Sequence, residues 1–129
     1  MVIQKVVQAF LHSYDGLKAA LKEEFAFKLE VIIAIPMTIF AATQPFPLIS
    51  KALMISSLLL VLMAELFNSA LEAALDRIST KRHPLIKKAK DMGSAAVLMS
   101  LLYTGIIWAF LLYDFYVDTS EGFLPENLL

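Results

Sequence analysis

Cysteine is absent from the 129-residue chain, which excludes a disulfide framework, a thiol nucleophile and thiolate metal ligands. Glycine occurs only four times, and neither a P-loop nor a GxGxxG pattern is present, so no glycine-rich loop is available to cradle phosphates. Neither sign of charge dominates: 11 basic and 12 acidic residues leave a net charge of -1. That balance gives no overall electrostatic pull towards nucleic acid. What is abundant is apolar: 59% of residues are hydrophobic and 18% charged, with a mean hydropathy of +0.71. The length allows one domain, and a soluble globule of this size could not cover the long apolar runs. The chain reads as an integral membrane protein.

Three runs carry that reading. Residues 31–50 are uncharged and long enough to cross a hydrocarbon core of ~30 Å as a helix. Pro36 lies inside this run, and Pro45 and Pro47 mark its exit turn. The second run starts at Ala52 and meets Glu65 and Asn68 before it has crossed. The third, residues 92–113, is free of charge and is followed by Tyr116; with Trp108 and Tyr113 it offers aromatic residues suited to the far headgroup region. Lys5, Lys18, Lys22 and Lys28 precede the first run, and Arg77, Lys81, Arg82, Lys87, Lys88 and Lys90 cluster between the second and third. The positive-inside rule puts both groups in the cytoplasm and the acidic C-terminal segment, with Asp114, Asp118, Glu121 and Glu126, on the opposite side.

The first residues are too charged for a secretory signal. Ile3, Val6, Val7, Phe10, Leu11 and Tyr14 recur at helical spacing, with Lys5, Gln8, His12 and Asp15 on the other side. This predicts an amphipathic helix on the membrane surface, with a bend at Gly16 before a second helix that carries Glu24, Lys28 and Glu30 towards the first span. The expected architecture is all-α: a surface helix region over 1–28, spans over 29–49, 52–75 and 91–114, a cytoplasmic loop over 76–90 and a tail over 115–129.

Glu65, Asn68, Glu72 and Asp76 are spaced by three, four and four residues, so they fall within about 80° of one another on one helix face. A carboxylate near the bilayer centre costs ~2.5 to 3.5 kcal/mol, so the stripe should face protein, water or a cation. Three spans give it few partners, which points to a homo-oligomer in which Gly93, Ser94, Ala95 and Ala96 allow close helix approach. A hydrogen-bond seam between subunits would explain Asn68. It does not explain acids gathered beside a basic loop that ends in Lys90 and Asp91. Two carboxylates can hold Mg²⁺, a lysine can neutralise nucleotide phosphates, and a deeper carboxylate can take a proton from a lipid hydroxyl.

The segments AELFNSALEAALDRIS (64–79) and AKDMGSAAVLMS (89–100) closely resemble the signature region of prokaryotic diacylglycerol kinase, a small membrane enzyme. The resemblance extends more loosely from about Lys5 to Tyr113 and includes the upstream acidic stretch EFAFKLE (24–30). It implies a homotrimer with active sites between chains and MgATP-dependent phosphorylation of diacylglycerol to phosphatidic acid. Carried over by position, it makes Glu65 the general base and Glu24 and Glu72 the Mg²⁺ ligands. Lys5, His12, His83, Lys90 and Asp91, with Glu24 and Glu72, become the ATP-binding residues. Asn68, Asp76, Lys28 and Glu30 support the site, and Ser94 and Trp108 lie on the lipid-substrate side. Lys5 and Lys28 stand where the family has Arg, which keeps the charge but loses the bidentate fork. His12 stands where the best-known pattern has Tyr, and Lys81-Arg82 where it has an acidic and an aromatic residue. Glu24 and Glu65, on different helices, need not serve one site from one chain. Taken alone, Lys87 and Lys88 read as topology and anionic-lipid contacts.

Three other functions remain compatible with parts of the pattern. Undecaprenol kinase, of the same superfamily, differs in the lipid alcohol. A small proton-coupled transporter could use Glu65 as its carrier. An oligomeric membrane scaffold would transfer no phosphate.

Overall fold

The computed structural model describes residues 1–78 and 81–118. The described chain is helical: α1 (Val2–Glu23), α2 (Phe25–Thr43), α3 (Leu48–Ile78) and α4 (Pro84–Tyr113), followed by a short π-helical turn, Asp114–Asp118. Three helical stretches are long and apolar enough to cross a membrane: Phe25–Thr43, Leu48–Ile78 and Pro84–Val117. Glu121 and Glu126 lie outside the described residues.

The α1–α2 junction falls at Glu24, not at the expected bend at Gly16. Gly16 has ordinary helical backbone within an unbroken α1, whereas Glu24 is extended, with φ -98° and ψ 108°. A helix tolerates one glycine at a cost of ~1 kcal/mol, whereas one residue outside helical space re-aims the chain. Even there the backbone is satisfied, since Glu24 N–H donates to the Ala20 carbonyl (2.9 Å) and Lys28 N–H to that of Glu24 (3.1 Å). Ile3, Val6, Val7, Phe10, Leu11 and Tyr14 of α1 are all exposed.

Pro36 lies within α2, which ends at Thr43, earlier than the sequence reading of 49. Gln44 is extended, and Pro45 and Pro47 cannot continue the hydrogen-bond ladder. Lys51 Nζ, one turn into α3, donates to the Ala42 carbonyl at 2.8 Å and satisfies one of the orphan acceptors at the end of α2. The segment expected as loop, 76–90, contains the end of α3 and the start of α4. Pro84 supplies a helical φ at the first turn of α4, and His83 caps it, its Nδ1 accepting from Leu85 N–H at 3.1 Å.

At 1.5 Å per residue, α3 is roughly 45 Å long and exceeds a ~30 Å hydrocarbon core, so one end emerges with its polar residues. Its antiparallel register on α4 is pinned by buried polar groups. Thr104 Oγ1 lies 3.0 Å from the Ser57 carbonyl, while Trp108 Nε1 donates to Ser57 Oγ (3.2 Å) and the Met54 carbonyl (3.3 Å). Trp108 is thus turned into the bundle and stacked on Phe40 (6.3 Å between ring centres), not set out as a headgroup anchor. Its N–H needs an acceptor, and α3 provides two. Ala34, Ala41, Phe46, Met54 and Leu58 complete this core. Phe115 and Tyr116 pack edge-on against Phe46 of the exit turn.

Candidate active site

The stripe on α3 runs from buried to exposed. Glu65 is 6% exposed, Asn68 and Glu72 are half-buried, and Asp76 is exposed. Ser69, one turn on from Glu65, places its hydroxyl where it can donate to the Glu65 carboxylate. Glu72 and Glu24 both lie close enough for their charges to act on Glu65. The break at Glu24 is what brings this third carboxylate in, and its side chain makes no capping bond to α2. Within one chain, the three carboxylates therefore share one electrostatic neighbourhood.

Glu30, on α2, faces the same centre: Glu65 acts on it, and its Oε2 is buried with no hydrogen-bond partner. Beside it lies a cavity of about 260 Å³ whose other walls include Ile33, Ala34, Met37, Leu58, Leu101 and Thr104. Glu30 is the acid among its otherwise almost wholly apolar walls.

Towards the exposed end of α3 the chemistry changes sign. Lys90 Nζ sits 2.6 Å from Asp76 Oδ1 and also lies within the field of Glu72. One turn away, Lys87 Nζ contacts Asp91 Oδ2 at 2.6 Å. These four residues, with Arg82 and His83, line a cavity of about 750 Å³. Because His83 Nδ1 is used as the cap, only Nε2 remains for a ligand. Lys87 therefore faces an aspartate in a polar cavity, a place that the topology reading of this lysine did not foresee. Its helical spacing to Asp91 was the signal. Ser69 could have been found in the same way from its spacing to Glu65.

Other expected site residues stand apart. Lys5, His12, Lys28 and Ser94 are exposed, and among the described residues no hydrogen bond or ion pair joins their side chains to the carboxylates. Trp108 is turned onto α3, where Ser57 and Met54 accept from its N–H. Gly93 meets Asn68 and Leu71 of its own chain, an intrachain approach where the sequence suggested contact between copies.

No group of three His, Cys, Asp or Glu among the described residues has the geometry to hold a metal ion by itself. Mg²⁺ makes no such demand. It keeps several waters and binds through one or two carboxylates together with substrate phosphates. Glu24 and Glu72 are hard oxygen donors, and Lys90 lies within the field of Glu72, so they fit that requirement.

The family model of prokaryotic diacylglycerol kinase matches residues 11–112. The chain is 44% identical over 111 residues to the diacylglycerol kinase of Haemophilus influenzae, covering 84% of this chain and 92% of the relative. It is 39% identical over 110 residues to that of Escherichia coli K12, covering 85% and 90%. With the Pseudomonas aeruginosa enzyme it shares 40% identity over 110 residues, covering 85% and 89%. A carboxylate cluster inside a helical membrane bundle, backed by a basic cavity, is thus found on a chain that belongs to the prokaryotic diacylglycerol kinase family and is an enzyme of it.

Proposed function

We propose that the chain transfers the γ-phosphate of ATP to the free hydroxyl of diacylglycerol, forming phosphatidic acid and ADP. The observation that carries this reading is buried Glu65 acting on Glu30, which has an unpartnered buried oxygen and lines an apolar cavity. A lipid alcohol can bring its chain to such a cavity and its hydroxyl to the acids. Glu65 takes the hydroxyl proton as the oxygen attacks phosphorus, and the bond to the ADP oxygen breaks. Ser69 holds the carboxylate in place. Lys90, released from Asp76, neutralises phosphate charge, and the Nε2 edge of His83 and Asp91 bound the nucleotide. Mg²⁺ held by Glu24 and Glu72 would offset the negative charge of the phosphates.

The assembly is a homotrimer in which neighbouring chains cover the exposed faces of α2 and α4 and close the sites. Lys5, His12 and Lys28 complete the nucleotide side, and Ser94 the lipid side. α1 rests on the inner face of a bacterial plasma membrane, with the N-terminus and site cytoplasmic and the C-terminus opposite. The test offers diacylglycerol and undecaprenol in parallel micelles with labelled MgATP. Preferential labelling of diacylglycerol is expected. Preferential labelling of undecaprenol would move the chain to the other lipid branch, and no labelled lipid at all would refute the kinase reading.

A further inference from the structure

A glycine inside a helix weakens it relative to alanine, so Gly93, within α4, calls for a reason. Its backbone gives none, because no glycine among the described residues has positive φ. Its surroundings do. A Cβ built there would collide with Asn68 Oδ1 and would meet Leu71 Cδ2 at 3.1 Å and Asn68 Cγ at 3.5 Å. The hydrogen that stands where Cβ would be therefore points at the amide oxygen, a Cα–H···O contact. That oxygen is buried and has no other hydrogen-bond partner. The contact also fixes which way round the amide sits, since an N–H turned onto a C–H gains nothing.

Asn68 lies one turn from Glu65 and one turn from Glu72, and Gly93 lies one turn from Lys90. The contact thus sits at the level where base, metal ligand and phosphate lysine meet. We propose that Gly93 is a positioning residue for phosphoryl transfer: by pressing α4 against the Asn68 oxygen, it leaves the two amide N–H donors for anionic oxygens of the site. Those oxygens are the carboxylates of Glu65 and Glu72 and the phosphoryl group passing between them. The inference rests on the kinase reading above.

The test is a double-mutant cycle on the full-length protein in lipid micelles. Gly93→Ala and Asn68→Ala are each expected to lower kcat by about tenfold or more, with nucleotide KM changed less than about twofold. In the Asn68→Ala background, Gly93→Ala should cost less than about a further twofold, because the oxygen that it displaces is gone. A full loss in that background would assign Gly93 to packing against Leu71 and overturn the proposal, as would wild-type kcat in Gly93→Ala. Asn68→Asp keeps an oxygen against Gly93 but has no donor, and is read independently of whether Gly93→Ala assembles. A loss matching that of Asn68→Ala supports the donor role; retention of more than about half of kcat overturns it. A silent wild type in the same assay refutes the kinase reading, whereas an active wild type with additive variants refutes the role of Gly93.

Discussion

Replacing Glu65 by Gln preserves the shape of a side chain that is 6% exposed and removes its capacity to accept a proton. The buried position can absorb the change, because a charge that is costly inside a bilayer becomes a neutral amide. Ser69 can still hydrogen-bond the side-chain oxygen of the amide. The new NH₂ has a potential acceptor in the unpartnered Glu30 oxygen. Assembly and thermal stability should therefore hold, while the chemical step suffers. Loss of a general base costs ~10²- to 10⁴-fold in rate, or ~2.7 to 5.4 kcal/mol of transition-state stabilisation. The assay is kcat in mixed micelles saturated with lipid and Mg-nucleotide, beside nucleotide affinity measured by calorimetry. Nucleotide affinity should stay within about threefold of wild type, since Glu65 lies off the basic cavity. More than about a third of wild-type kcat in the variant would refute Glu65 as the base. A collapse of nucleotide binding with kcat intact would move Glu65 to the nucleotide side.

Glu24→Gln and Glu72→Gln should each raise the free Mg²⁺ needed for half-maximal activity, since each removes a hard anionic ligand; unchanged titrations in both would return these residues to structure. Trp108→Phe deletes the hydrogen bonds to Ser57 and Met54 and should cost ~1 kcal/mol of stability, read as a lower thermal midpoint. The ratio of rates on short- and long-chain lipids should stay fixed, and a changed ratio would restore Trp108 to the lipid side.

The membrane class, the three spans and the acid stripe were legible because lipid enforces them locally: an uncharged run of sufficient length, or a repeat on one helix face, can be read without knowing any neighbour. Exact ends were less so. Pro45 and Pro47 announced the exit turn, yet the end of α2 at Thr43 depends on the extended Gln44. The break at Glu24 carries no glycine or proline and left no signal. Its consequence for the fold, a chain that turns at Glu24 and not at Gly16, was correspondingly hidden. Trp108 illustrates the same limit, because an indole near a span end fits the headgroup region equally well until the acceptors on α3 are known. Gly93 was noticed as a small residue, but only the register of α3 on α4 identifies Asn68 as what it accommodates.

The proposal that one chain supplies Glu24, Glu65 and Glu72 to one site is tested most directly by co-assembling Glu24→Gln with Glu65→Gln, assayed at a free Mg²⁺ concentration at which each variant alone is strongly impaired, and purifying mixed trimers through two different tags. Every chain in such a trimer carries a defect in its own carboxylate set. The expected result is activity no higher than that of either variant by itself. Recovery of a substantial fraction of wild-type activity in the mixed trimers would contradict it, because some sites would then draw Glu24 from one chain and Glu65 from the next.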